Sequence, residues 1–180
     1  MQSCQAEQEG LSKKTLPAVN EYLARRMGTG AVRVCLALSE FACKMLLPMH
    51  VMADPDMILL WNATNIIICL MNDILSFKKE FAQGQVDSIL PVLYVEHHSL
   101  DAASDVATRL VLDSIRSVDN AAERLLRRYQ GDLKLREELS RFIESCKYAC
   151  TGNLSWSLVS GRYRTGQTTT RGGILVVLGG

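Results

Sequence analysis

Residues 54–84 constrain the fold more than any other stretch. Asp54-Pro55 is a strong helix start, an N-cap acid followed by proline at the first helical position. No glycine or proline follows until Gly84, a residue suited to stop a helix. The spacing predicts one helix over 54–83, roughly 29 residues and ~44 Å long. Ile66-Ile67-Ile68-Cys69-Leu70-Met71 is apolar all round, as in a helix buried on every side.

The flanking sequence predicts further helices to surround it. Pro17 to Arg26 reads as a short helix, broken by Gly28-Thr29-Gly30. Ala31 to Leu47 reads as a second, closed by Pro48. Asp87 to Val95 is short and interrupted near Pro91. Ser99 caps a long helix to Tyr129, which Gly131 stops, and Asp132 begins a last one to Tyr163. No convincing strand alternation and no internal repeat is present. With 48% hydrophobic residues in 180, the chain suffices for one domain with a real core. Residues 1–164 are therefore expected to form an all-α domain. Residues 165–180 read as an irregular Thr/Gly-rich tail with one apolar run of five, either a short sticky tail or translated non-coding sequence.

Charge narrows the function. Formal net charge is +1, from 20 basic and 19 acidic residues. No basic stripe with interleaved aromatics occurs, so nucleic acid is not the expected partner. The first residues carry no basic and apolar leader pattern. The apolar run Met57 to Met71 is interrupted by Asn62, Thr64 and Asn65, and is expected to fall short of a membrane span. The six cysteines form no C-x-x-C pair and no zinc-like spacing with histidine. Free thiols in apolar helices, in a reduced cytoplasmic protein, are the expectation.

Polar side chains then interrupt the buried helix in a pattern. Asn72, Ser76 and Glu80 stand at i, i+4 and i+8, which at ~100° per residue puts them within roughly 80° on one face. Amide oxygen, hydroxyl and carboxylate are hard ligands of the kind magnesium takes, usually shared with water and phosphate. A solvated helix face would carry the same residues. Lys79, beside the stripe, is placed to reach a phosphate.

The stretch Asn72 to Glu80 resembles the second metal motif of class I terpene synthases, with every fixed position present. Two further segments extend the resemblance. Tyr22 to Val32 is similar to the helix break upstream of that motif in microbial cyclases. There an arginine senses the substrate diphosphate, and residues three and four later relay its binding to a backbone carbonyl near the reacting carbon. Arg26, Thr29 and Gly30 occupy those places, with Thr29 where the family often has aspartate. Arg162-Tyr163 matches a C-terminal pair that hydrogen-bonds the diphosphate, and Trp156 resembles an aromatic facing carbocations.

The resemblance runs from about Glu7 to Arg164 and looks most like fungal sesquiterpene cyclases. It implies the C-terminal half of the isoprenoid synthase helical barrel. It also implies a Mg2+ cluster and a prenyl diphosphate substrate, farnesyl diphosphate first, which ionises and cyclises in a dry pocket. Arg26, Thr29 and Gly30 would be catalytic. Asn72, Ser76 and Glu80 would hold metal. Arg26, Lys79, Arg162 and Tyr163 would bind diphosphate, and Trp61, Asn65, Ile68 and Trp156 would line the pocket.

The family's first metal motif, an Asp-rich cluster, has no counterpart here, since the chain contains no Asp-Asp pair. The expectation is a truncated cyclase, inactive alone, with Ile66, Ile67, Leu70 and Phe77 left open to solvent. A homodimer or a missing N-terminal half would then be the partner. A split enzyme or partial gene model, and a non-catalytic helical protein binding prenyl diphosphate or a partner helix, remain open alternatives.

Overall fold

The computed structural model describes residues 16–163 and the backbone of residues 166–170 and 173–177. The helices are α1 (Val19–Thr29), α2 (Val32–Ala42), α3 (Met49–Met52), α4 (Pro55–Ala82), α5 (Ile89–His97), α6 (Leu100–Arg128) and α7 (Leu133–Val159). α4 is the long helix expected, and each of the other six packs against it. Its start is built as the sequence indicates: the Asp54 carboxylate accepts from the Asp56 N–H at 2.9 Å, with Pro55 in the first turn. Gln83 is its C-cap, and Gly84 follows in the left-handed region at φ 73°, where glycine carries no Cβ penalty. Ser99 and Asp132 cap α6 and α7 through the N–H groups of Ala102 and Leu135.

The acid that caps α4 also fastens it. Arg128 pairs with both Asp54 and Asp56, Arg124 Nε donates to Asp56 at 2.7 Å, and the Tyr129 hydroxyl donates to Asp54 at 3.0 Å. These bonds tie the end of α6 to the start of α4, and so fix the rotation of the helix that carries Asn72.

Four expectations change. The second helix ends at Ala42 rather than Leu47. The chain leaves it through Lys44 at φ 50° so that Met45 and Leu47 turn inward, both buried. The last helix ends at Val159, and residues 160–163 form a turn that brings Tyr163 back to the core. Ile67, Leu70 and Phe77 are buried and Ile66 is partly buried against the core, because α6 and α7 flank α4. Residues 166–170 and 173–177 are not irregular. Strands β1 (Gly166–Thr170) and β2 (Gly173–Val177) pair antiparallel with Thr170 opposite Gly173, a pairing that suits their threonine, isoleucine and valine.

α4 is also long and apolar enough to cross a membrane by length and composition, with a mean hydropathy of 1.6 in its best window. The polar residues at 62, 64 and 65 do not lower it enough. In this fold the same helix holds Asp56, Asn65 and Asp73 buried among its neighbours.

Candidate diphosphate and metal site

The site begins at the break between α1 and α2. Gly30 remains right-handed at φ −70°, and the chain turns at Ala31, which sits at φ 55°. A break frees backbone groups that need partners. The Arg26 carbonyl accepts from the Gly30 N–H at 3.0 Å and from Thr29 Oγ1 at 3.4 Å. The Met27 carbonyl accepts from Asn65 Nδ2 of α4 at 2.9 Å.

Gly30 lies directly over Cys69. A Cβ there would overlap Cys69 Sγ and lie 3.3 Å from the Arg26 carbonyl oxygen. Gly30→Ala is expected to cost about 1–3 kcal/mol by overpacking, read as a loss of denaturation midpoint. Adding Cys69→Ala removes the obstruction and is expected to recover most of that loss. Two additive losses would show that the contact is not the reason for the glycine.

α1 faces α4 through a partly buried ion pair, with the Arg26 side chain 23% exposed and that of Asp73 4%. Arg26 Nε donates to Asp73 Oδ1 at 2.9 Å, and Nη2 approaches the same oxygen at 2.8 Å. The Tyr22 hydroxyl donates to Asp73 Oδ2. Asp73 is 3% exposed and Tyr22 1%. Burial pushes the Asp73 carboxyl above the ordinary carboxylate range, against the pull of Arg26 and the Tyr22 hydroxyl. Burial and then Asp73 hold the Tyr22 phenol protonated well above its ordinary value. Burial opposes the Arg26 charge, but Asp73 outweighs it. Burial likewise lifts the Cys69 thiol to about 11, so it sits beneath the break as a neutral side chain.

Arg26 also reaches the metal motif. Its Nη2 donates to Asn72 Oδ1 at 3.1 Å, and Asn72 Nδ2 donates to the Tyr163 hydroxyl at 2.7 Å. Residues 46 and 91 positions apart are thus joined in one hydrogen-bonded line. Tyr163 is 2% exposed, and three of the predicted residues gather on its ring. Lys79 Nζ lies 5.8 Å and Arg162 Cζ 5.5 Å from its centroid, and Trp156 meets it edge-on at 6.1 Å. A cavity of about 370 Å³ opens at the Arg26 end of this line, with Arg25, Arg26, Thr29, Asp73 and Glu80 among its walls.

Asn72, Ser76 and Glu80 offer donors of the kind a hard divalent cation takes. Asn72 Oδ1 has a second lone pair beside the one Arg26 uses. The Ser76 hydroxyl is buried with one long bond of 3.4 Å to the Asp73 carbonyl, and the Glu80 carboxylate borders the cavity. All three are oxygens, as that ion requires.

The predicted pocket residues are not brought together. Trp61 stacks on Phe142 at 6.1 Å and borders a separate cavity with Arg33, Met57 and Asn62. Ile68 packs partly buried on the core. Asn65 is 0% exposed and serves the Met27 carbonyl, because the helix break leaves an acceptor that α4 must satisfy. Trp156 alone of the four lies at the site. The sequence reading missed Asp73 and Tyr22. The sequence carries the signal: a carboxylate one residue after Asn72 in a buried helix needs a cation, and Arg26 is the candidate.

A family model described as terpene synthase family 2, C-terminal metal binding, matches residues 1–117. The chain belongs to the terpene synthase family. Among curated terpene synthases it is similar to the sesquiterpene cyclase hepA of Aspergillus oryzae, 38% identical over 169 residues, covering 90% of this chain and 44% of that protein. It also resembles the (+)-T-muurolol synthase of Roseiflexus castenholzii, described as cyclising (2E,6E)-farnesyl diphosphate, at 30% over 152 residues. That match covers 82% of this chain and 44% of the relative. The helical domain has the isoprenoid synthase fold. It superposes on α-eudesmol synthase with TM-score 0.77 at 22% identity, covering 88% of this chain and 52% of that one. On hedycaryol synthase in complex with nerolidol the TM-score is 0.72 at 23% identity, covering 86% and 53%. This terpene synthase chain thus spans about half the length of the relatives it matches.

Proposed function

We propose that the chain forms the diphosphate-sensing and magnesium-binding part of a sesquiterpene cyclase that ionises and cyclises farnesyl diphosphate. The observation that carries this reading is the line Arg26–Asn72–Tyr163. It joins three separated motifs at hydrogen-bond distance, and its Arg26 end borders a cavity that Glu80 also lines. Asn72, Ser76 and Glu80 would hold the ion. Magnesium supplies Lewis-acid stabilisation of the departing diphosphate when bound.

The chain's own residues account for the rest of the binding. The Arg26 guanidinium offers a planar fork that matches phosphate oxygens, and Asp73 holds it at the cavity in the charged form. Lys79 and Arg162 flank Tyr163 and add positive charge where the leaving group would develop its own. Trp156, edge-on to Tyr163, presents an aromatic surface suited to a cation. The break at Gly30 and Ala31 lets a diphosphate pull on Arg26 be passed to the backbone, since Thr29 and Gly30 both bond the Arg26 carbonyl. The described cysteines are unpaired thiols, which supports a reducing compartment such as the cytoplasm.

The test is thermal. Magnesium and inorganic pyrophosphate together, at about 100 times the dissociation constant, are expected to stabilise the chain by about 2.7 kcal/mol. For a domain of this size that is a rise of roughly 5–10 °C in melting temperature. Neither component alone should give the full shift, and Glu80→Ala should remove the magnesium-dependent part. A shift that persists in Glu80→Ala contradicts the metal assignment.

A further inference from the structure

The end of α7 carries polar atoms that nothing among the described residues satisfies. The side-chain oxygens of Asn153, Ser157 and Ser160 are buried and lack a hydrogen-bond partner. Asn153 and Ser157 stand at i and i+4 on one helix face, and Ser160 follows as the C-cap of the same helix. Ser157 is 0% exposed. A helical serine or threonine commonly satisfies itself on the carbonyl four residues back. Thr64 does so on Leu60, and Ser114 does so on Leu110, each at 2.8 Å. Ser157 and Ser160 do not take that option. An unpaired buried polar atom is unfavourable, so two hydroxyls and an amide oxygen at one helix end point to a guest.

Their place defines its chemistry. Leu154 shares an apolar cavity with Ile67 and Met71 of α4, and Tyr163 bonds Asn72. Residues 153–160 therefore run beside the α4 segment that leads into the metal motif, with Trp156 among them. None of the three side chains is charged. An amide oxygen that accepts and two hydroxyls that either donate or accept match a neutral hydroxyl, and a single water commonly satisfies about three such groups.

We infer that Asn153, Ser157 and Ser160 form a hydroxyl-binding site at the end of α7 beside Trp156, filled by one ordered water in the ligand-free protein. The site neither needs magnesium nor takes diphosphate, so it stands apart from the reading above. A crystal structure at about 1.8 Å is expected to show an oxygen 2.7–3.2 Å from Ser157 Oγ and from Asn153 or Ser160. An empty space, or both hydroxyls turned onto the carbonyls of Asn153 and Trp156, overturns the inference. Melting curves give an independent reading. If water bridges the three, Ser157→Ala strands the other two and lowers the melting temperature by about 2–4 °C. If Ser157 is simply unpaired, its removal leaves the melting temperature unchanged or raises it, which also overturns the inference. The pyrophosphate shift should survive Ser157→Ala, so failure of this site and failure of the metal site are separately visible.

Discussion

Asp73→Ala is expected to destabilise the chain by about 2–4 kcal/mol, since it removes the buried partner of a partly buried ion pair and the acceptor of a buried phenol. The loss comes from what remains. Arg26 keeps its charge in a largely enclosed position, and Tyr22, 1% exposed, keeps a hydroxyl with no acceptor. Asp73→Asn should lose less, because an amide oxygen still accepts from one of the two donors. Equilibrium denaturation in urea reads both. The order Ala worse than Asn, with the slope unchanged, is the expected result. A loss under about 1 kcal/mol for Asp73→Ala would mean that the pair is solvated and does not organise the site.

The second large effect falls on binding. Asn72→Ala is expected to weaken magnesium pyrophosphate binding by at least about 100-fold, or ~2.7 kcal/mol, while stability falls much less than in Asp73→Ala. The substitution removes a proposed metal ligand. It also cuts the line from Arg26 to Tyr163, since both bonds run through the Asn72 amide. Calorimetric titration separates this from unfolding. A variant that melts near the wild-type temperature and no longer takes up the ligand is the expected outcome. Unchanged affinity would show that Asn72 is a structural link only.

Much of this could be read in the sequence because helix grammar is local. Asp54-Pro55 and Gly84 bracket α4, and Ser99 and Asp132 cap the next two long helices, each through interactions within a turn. The stripe Asn72, Ser76 and Glu80 was legible for the same reason, since one helix fixes its geometry. What was not legible depends on tertiary contacts. Whether Asn65 lines a pocket or serves the Met27 carbonyl is decided by where α1 breaks against α4. Trp61 and Trp156 share a residue type, but one stacks on Phe142 and the other meets Tyr163. The early end of α7 follows from Tyr163 finding Asn72, a partner 91 residues away. The burial of Leu70 and Phe77 likewise depends on α6 and α7 flanking α4, which periodicity does not reveal.

In the proposed site Asn72, Ser76 and Glu80 bind one divalent ion in the presence of diphosphate. Anomalous diffraction from crystals grown with manganese, as a magnesium substitute, and inorganic pyrophosphate tests it most directly. The predicted result is an anomalous peak at coordination distance from the Asn72 amide oxygen, the Ser76 hydroxyl and the Glu80 carboxylate, with Arg26 in contact with the pyrophosphate. A crystal with pyrophosphate bound and no peak at these three residues, or with the peak elsewhere, would contradict it.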